Sequence, residues 1–435
     1  MMLKPLFWNK LSNDQKKTLL QRPGASLFQE TKQVSDLIKK VQTQGDKALF
    51  SLTQQFDKVR LSTLRVTQEE FDAAMNRVQP SVIQALDRVI SQLTAFHQPQ
   101  KISNYTVETS PGIMCERLVV PIQRVGMYVP AGSAPLVSTV LMSGVPSRLA
   151  DCPLRIVCTP PNQTGTIDPH ILVAARLCGI QDVFKIGGAQ AIAAMAYGTE
   201  SIPKVDKIFG PGNRWVTQAK MLVSLDPHGA QLDMPAGPSE VMVIADEEAN
   251  PQFVAADLLS QAEHGEDSQA VLVCMSESFA KAVNQQLEIQ LNALSRANIA
   301  ARSLQNSVCI IVENQNEAIT IANDYAPEHL ILQLANPRHY LSLIATAGSI
   351  FLGSYSPESA GDYASGTNHV LPTAGFSRAC SGLSVQDFMR TMSVQELTQE
   401  GLSSIAETIR VMTDIEGLDA HQKAIDIRLQ AARGE

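Results

Sequence analysis

A glutamate and a histidine stand side by side in YAPEHLIL, residues 325 to 332, just before an apolar run. Carboxylate and imidazole exchange protons readily near neutral pH, so Glu328 and His329 could together take protons from a hydroxyl or a water. The same stretch fits a plainer account: a helix ends near Tyr325, Pro327 turns the chain, and the pair is the wet start of a buried strand. Gln261 and His264, in SQAEH, are three residues apart on the last turn of an amphipathic run. They offer an amide oxygen and an imidazole nitrogen to a metal, or a polar helix end to solvent. Asp362 and His369 lie in SPESAGDYASGTNHVLPTAG, and long polar loops in compact α/β proteins are often functional. His421 follows Gly417, a helix stop, and Asp419, a cap with Gln422 three residues on. In that first turn its imidazole could ligate a metal.

The elements that must carry these residues follow from periodicity. Residues 1–103 are expected to be a helical segment: TQEEFDAAMNRV opens with a capping box, Thr67 with Glu70, and the run after Pro80 keeps apolar residues at helical spacing. From about residue 104 the texture becomes extended pieces (YTVET, IMCERLVV, VGMYVP) and then alternating strands and helices. RIVCTP, DVFKIGG and KIFGPG read as buried strands, and VMVIAD, AVLVCM, SVCIIV, HLILQL and SIFLG repeat the pattern after AGPSE. The expected fold is α/β, with two tandem Rossmann-like lobes over residues 104–238 and 239–380, and a helical C-terminal tail over 381–435. Ligands in such folds sit outside the carboxyl ends of the strands.

Composition narrows the partner. The chain has 435 residues, enough for two or three domains, and 44% apolar with 18% charged residues suits a soluble globular protein. With 35 Lys and Arg against 43 Asp and Glu, the net charge of -8 argues against nucleic acid or an anionic membrane as main partner. A small molecule is the default ligand. No apolar run approaches a membrane span, and the start MMLKPLFWNKLSNDQKK has no signal-peptide pattern, so a cytoplasmic protein is expected. Seven scattered cysteines, none in a CxxC pair, read as reduced core thiols. For a nucleotide, GGAQA at 187–191 and GPGN at 210–213 each give half a fingerprint: small residues where a pyrophosphate could approach a helix N-terminus, or where a strand–helix turn simply packs tightly. From residue chemistry alone a zinc hydrolase, with Glu328 and His329 activating water and no dinucleotide, stays open beside a dehydrogenase.

Taken together and in order, LDMPAGPSEVMVIAD, DLLSQAEHG, YAPEHLIL and SPESAGDYASGTNHVLPT closely resemble the histidinol dehydrogenase family, and GMYVPAGSAPL, VFKIGGAQAIAA and VDKIFGPGN extend the resemblance through the first lobe. The resemblance implies oxidation of L-histidinol through L-histidinal to L-histidine, the last step of histidine biosynthesis, with two NAD reduced. It implies one zinc per subunit, held by Gln261, His264, Asp362 and His421. Glu328 and His329 would be the catalytic pair, with His329 as the base and Glu328 activating water. Substrate contacts would come from Ser239, Gln261, His264, His329, Asp362, His369, Glu416 and His421. Tyr128, Gln190 and Asn213 would touch NAD. The resemblance also implies a homodimer in which the tail carries Glu416 and His421 to the partner's site. Adjacent residues on a regular strand face opposite ways, so Glu328 and His329 can share a site only at a bend after Pro327.

Overall fold

The computed structural model describes residues 3–22, 31–131 and 134–433; Gly132 and Ser133 of GMYVPAGSAPL lie outside the described residues. The chain forms two compact units, Met1–Gln100 with Ile122–Phe388, and Lys101–Pro121 with Met389–Glu435.

The larger unit holds two parallel sheets. In the first lobe the strands lie in the order Asp182–Lys185, Leu154–Thr159, Arg124–Tyr128, Lys207–Phe209, Gln231–Leu232. Every neighbouring pair is parallel. The second lobe repeats that order with Val308–Ile311, Gln269–Cys274, Glu240–Ala245, His329–Gln333 and Ser349–Leu352. In both, the chain order reverses beside the first strand of the lobe, the kind of switch point at which open sheets form crevices. The N-terminal segment is helical over Gln68–Arg77 and Pro80–His97, with the Thr67–Glu70 capping box closed from both sides. It also supplies a short strand, Pro5–Phe7, that pairs in parallel with Val308–Ile311 at the edge of the second sheet.

The central strands of the second lobe are buried along their whole length and apolar between their ends because helices cover both faces. Along Glu240–Ala245, Val241, Val243 and Ala245 pack toward the helices Pro251–Ala262 and Glu277–Leu291. Met242 and Ile244 point the other way, toward the helix Gln315–Tyr325. No helix among the described residues is long and apolar enough to cross a membrane.

The smaller unit is an antiparallel sheet of Tyr105–Ser110, Ile113–Pro121 and Met389–Leu397, followed by the helices Gln399–Glu416 and Asp419–Arg433. Gly417, at φ 67°, closes the first of these helices. The C-terminal region is helical as expected and adds one strand, Met389–Leu397, that its mostly exposed, mixed residues do not announce. Residues 104–121, expected with the first lobe, group with the tail because Ile113–Pro121 pairs with Met389–Leu397 along its whole length.

Candidate active site

In the first lobe the chosen polar residues sit at carboxyl ends of strands. Tyr128 ends its strand, Gln190 is in the first turn of the helix Gly188–Tyr197, and Asn213 caps the helix Arg214–Ser224 through bonds from the Trp215 and Val216 N–H groups. All three line one cavity of about 670 Å³ together with Phe56 and Asp57, which the sequence did not single out. Gly188, at φ 68°, donates its N–H to Tyr128 Oη at 3.0 Å.

The second lobe uses the opposite edge. Ser239 precedes the strand Glu240–Ala245, and His329 opens the strand His329–Gln333, so this half of the site lies at amino ends and departs from the carboxyl-end expectation. The return path of a helix explains it. Pro251–Ala262 begins beyond the carboxyl end of its strand and runs back across the sheet, so its last turn, with Gln261, and His264 just past it arrive at the amino edge.

The catalytic candidates are brought together by a corner. The helix Gln315–Tyr325 ends in Ala326 at φ 53° and ψ 69°, a left-handed conformation that alanine rarely adopts. Its carbonyl accepts from Ser377 Oγ at 2.8 Å and Arg22 Nη2 at 3.2 Å. Beyond Pro327, Glu328 precedes the strand and His329 begins it. A Cβ on Gly348 would stand 2.6 Å from the Glu328 carbonyl oxygen, so only glycine admits the neighbouring strand this closely. The two side chains converge, with Glu328 Oε2 3.6 Å from His329 Nδ1.

The tautomer of His329 follows from its partner. Nδ1 lies 3.2 Å from the backbone oxygen of Glu240, which can only accept, so Nδ1 carries the hydrogen and Nε2 the lone pair. Nε2 is buried with no hydrogen-bond partner, 3.8 Å from Asp362 Oδ1. Burial lowers His329 to about 3, which keeps the ring neutral. Burial drives the Glu328 carboxyl well above the usual range, against the bond its Oε2 receives from the Glu240 N–H at 2.9 Å. The charges of Glu240, Glu358 and Asp362 push it further up. A carboxylate of raised pKa is a stronger base toward water once ionised.

Beside the pair, His264, Glu358 and Asp362 each present a ligand atom within 4.8 Å of the others. Glu358 and Asp362 stand one turn apart on the helix Glu358–Tyr363, which approaches closely at Gly361: a Cβ there would be 2.7 Å from the Phe351 ring. Both oxygens of Glu358 and both polar atoms of the Gln261 amide are buried without a partner. Burial raises Asp362 to about 7, and burial with the neighbouring Asp362 and Asp257 charges raises Glu358 well above its usual range. Unpartnered buried groups of this kind are costly, and a divalent cation would satisfy amide oxygen, imidazole and carboxylates at once. The donor set therefore fits a zinc ion. Glu358 was missed from sequence; its signal was the i, i+4 pair of acids in PESAGDY.

The remaining candidates divide between the units. His369 places Nε2 3.0 Å from Ser138 Oγ, at the start of the first-lobe helix Val137–Leu149, so its loop joins the two lobes. Ser239 lines a cavity of about 430 Å³ with Arg22, Glu240 and Thr373. Glu416 and His421 belong to the smaller unit, and both are exposed.

Asp257, in the same helix as Gln261, provides a pH test. Burial raises it from 3.8 to about 6, while Gln333 Nε2 donates to its Oδ2 at 3.1 Å. A carboxyl raised on folding is accommodated below its unfolded pKa and destabilises the fold as pH rises through its folded value. In chelated protein, Asp257→Asn is expected to raise stability by about 3 kcal/mol at pH ~8. The gain should vanish below pH ~3, where wild type is largely protonated in both states. Thermal melts at the two pH values check this, and an equal gain at both would assign the effect to packing.

A family model described as Histidinol dehydrogenase matches residues 20–429. A histidinol dehydrogenase of Vibrio parahaemolyticus is 53% identical over 432 residues, spanning 98% of this chain and 99% of the relative. One from Legionella pneumophila is 51% identical over 424 residues, with 97% of each chain covered. A crystal structure of histidinol dehydrogenase from Elizabethkingia anophelis matches with a TM-score of 0.94 at 44% identity, over 99% of each chain.

Proposed function

Since the chain belongs to the histidinol dehydrogenase family and is an oxidoreductase, we propose that it oxidises L-histidinol through L-histidinal to L-histidine, the closing step of histidine biosynthesis, in a zinc- and NAD-dependent reaction. The observation that carries this reading is the buried, unpartnered Nε2 of His329 facing Asp362 of the His264–Glu358–Asp362 cluster. When bound, zinc held by Gln261, His264, Asp362 and His421 would orient the substrate, and NAD against Tyr128, Gln190 and Asn213 would accept the hydride.

His329 Nε2 takes the alcohol proton as hydride leaves the carbinol carbon, giving the aldehyde. Glu328 then takes a proton from the water that adds to the aldehyde carbon, while protonated His329 gives its proton to the aldehyde oxygen, which forms the hydrate and restores the free base. His329 takes a hydroxyl proton from the resulting hydrate as the second hydride departs, leaving the carboxylic acid, which ionises to the carboxylate. Each oxidation thus removes one hydride and one proton, and the added water supplies the second carboxylate oxygen. Ser239, His369 and Glu416 would contact the polar groups of the substrate. The pair can serve both steps because the corner at Ala326 aims both side chains into one space.

The primary test is the ratio of NADH formed to L-histidinol consumed, before and after chelation. Two NADH per substrate, abolished by chelator and regained with zinc, is the expected result; one NADH per substrate would point to a different alcohol and a two-electron reaction.

A homodimer is the assembly this reading needs, with Glu416 and His421 serving the partner's site. The tail helices support it, since Val411, Ile415, Leu418 and Ile427 are exposed along them and such apolar surface ordinarily finds a partner. Mixed dimers of His421→Ala with Glu328→Gln should each hold one intact site and recover about half of wild-type activity. Inactive mixed dimers, once shown to form, would return His421 to its own chain's site. The seven unpaired cysteines favour the cytoplasm as compartment.

A further inference from the structure

The peptide groups of one residue meet both members of the catalytic pair. The Glu240 N–H donates to Glu328 Oε2 at 2.9 Å, and the Glu240 C=O accepts from His329 Nδ1 at 3.2 Å. Whatever holds Glu240 therefore holds the carboxylate and the imidazole tautomer together. The Glu240 side chain is buried, with 2% exposure, and Arg22 grips it with both arms of the guanidinium. Arg22 Nε lies 2.8 Å from Oε2 and Nη2 lies 2.8 Å from Oε1. The same Nη2 donates to the carbonyl of Ala326, the left-handed corner from which the pair is aimed, at 3.2 Å. The guanidinium lies over the Tyr325 ring at 3.6 Å, and the Tyr325 hydroxyl donates to Gln269 Oε1 at 2.7 Å.

We propose that Arg22 is a positioning residue for the oxidation: by clamping Glu240 and Ala326 at once, it sets how Glu328 and His329 stand to each other and keeps His329 Nε2 turned toward the metal cluster. This rests on the catalytic pair assigned above. The chemistry of the clamp favours geometry over stability. A buried ion pair gains little net stability because desolvation offsets its attraction, whereas a bidentate fork fixes angle as well as distance. Lysine, a single point charge, cannot reproduce the fork.

The test uses the zinc-loaded enzyme with Arg22→Ala. Displacement of a catalytic group by about 1 Å costs on the order of 100-fold in rate, so kcat is expected to fall about 100-fold. KM for L-histidinol and zinc content should stay near wild type. The cavity of about 430 Å³ beside Arg22 can admit a free guanidinium ion, so millimolar guanidinium should restore part of kcat where methylammonium does not. A merely structural role would not give that selective rescue. If Arg22→Ala does not fold, Arg22→Lys replaces it, with kcat expected to drop about 10-fold at unchanged melting temperature. A variant as active as wild type overturns the assignment, as does a loss of kcat that guanidinium leaves unchanged and that follows a loss of zinc. Because wild type is assayed alongside, either result leaves the proposed reaction standing if wild type still yields two NADH per L-histidinol.

Discussion

Asparagine in place of His329 is expected to lower kcat for both oxidations by about 10³-fold, the middle of the range for loss of a general base. The substitution is chosen for what it keeps. An asparagine amide nitrogen can still donate to the Glu240 carbonyl, as Nδ1 does at 3.2 Å, so the local geometry of the strand start is retained. What disappears is the Nε2 lone pair, which is buried and unpartnered beside Asp362. Zinc content and KM for L-histidinol should change little, since His329 is assigned to proton transfer and not to holding the metal. Starting from L-histidinal should not rescue the variant, because the hydrate loses its proton to the same nitrogen. Steady-state kinetics with both substrates check this. A variant within a few-fold of wild type on either substrate would mean that Glu328 or a water chain is the base for that step.

The second large effect is expected from His264→Asn, which should bind zinc at least about 100-fold more weakly and lose activity in proportion. His264 stands exposed past the end of its helix, so its removal should hardly alter the metal-free fold. Chelated wild type and chelated variant should therefore melt together. They should part when zinc is added. The metal would partner the orphaned Gln261 amide and neutralise the Glu358 and Asp362 carboxylates, and a ligand at about 100 times its Kd stabilises by about 2.7 kcal/mol. Wild type should show that shift and the variant should not. Unchanged zinc binding would move the metal away from His264, and a matching loss in Glu358→Gln would bring Glu358 among the groups that hold it.

Much of the fold was legible because its signals are local. The Thr67–Glu70 capping box, the stop at Gly417 and the apolar runs of the central strands are set by hydrogen bonds and burial within a few residues, and the structure has each of them. Glu328, His329, Gln261, His264 and Asp362 were legible as residue types with fitting chemistry. Three things were not. Met389–Leu397 forms a strand only because Ile113–Pro121 is there to pair with it. Glu358 looked like one more loop acid until burial left both its oxygens without a partner. Arg22 and Glu240 look like an ordinary basic and an ordinary acidic residue, and their bond spans 218 positions of chain.

The sequence by itself determined most of the elements, their alternation into two α/β lobes and the residue types able to do the chemistry, because propensity, capping and periodicity act over one or two turns. Only the tertiary structure decided that the candidate residues of the second lobe gather at the amino edge of its sheet, that His329 Nδ1 faces a backbone carbonyl and so carries the hydrogen, and that Glu358 stands with His264 and Asp362. Those facts depend on which groups meet across the chain, and on which polar atoms burial leaves without water.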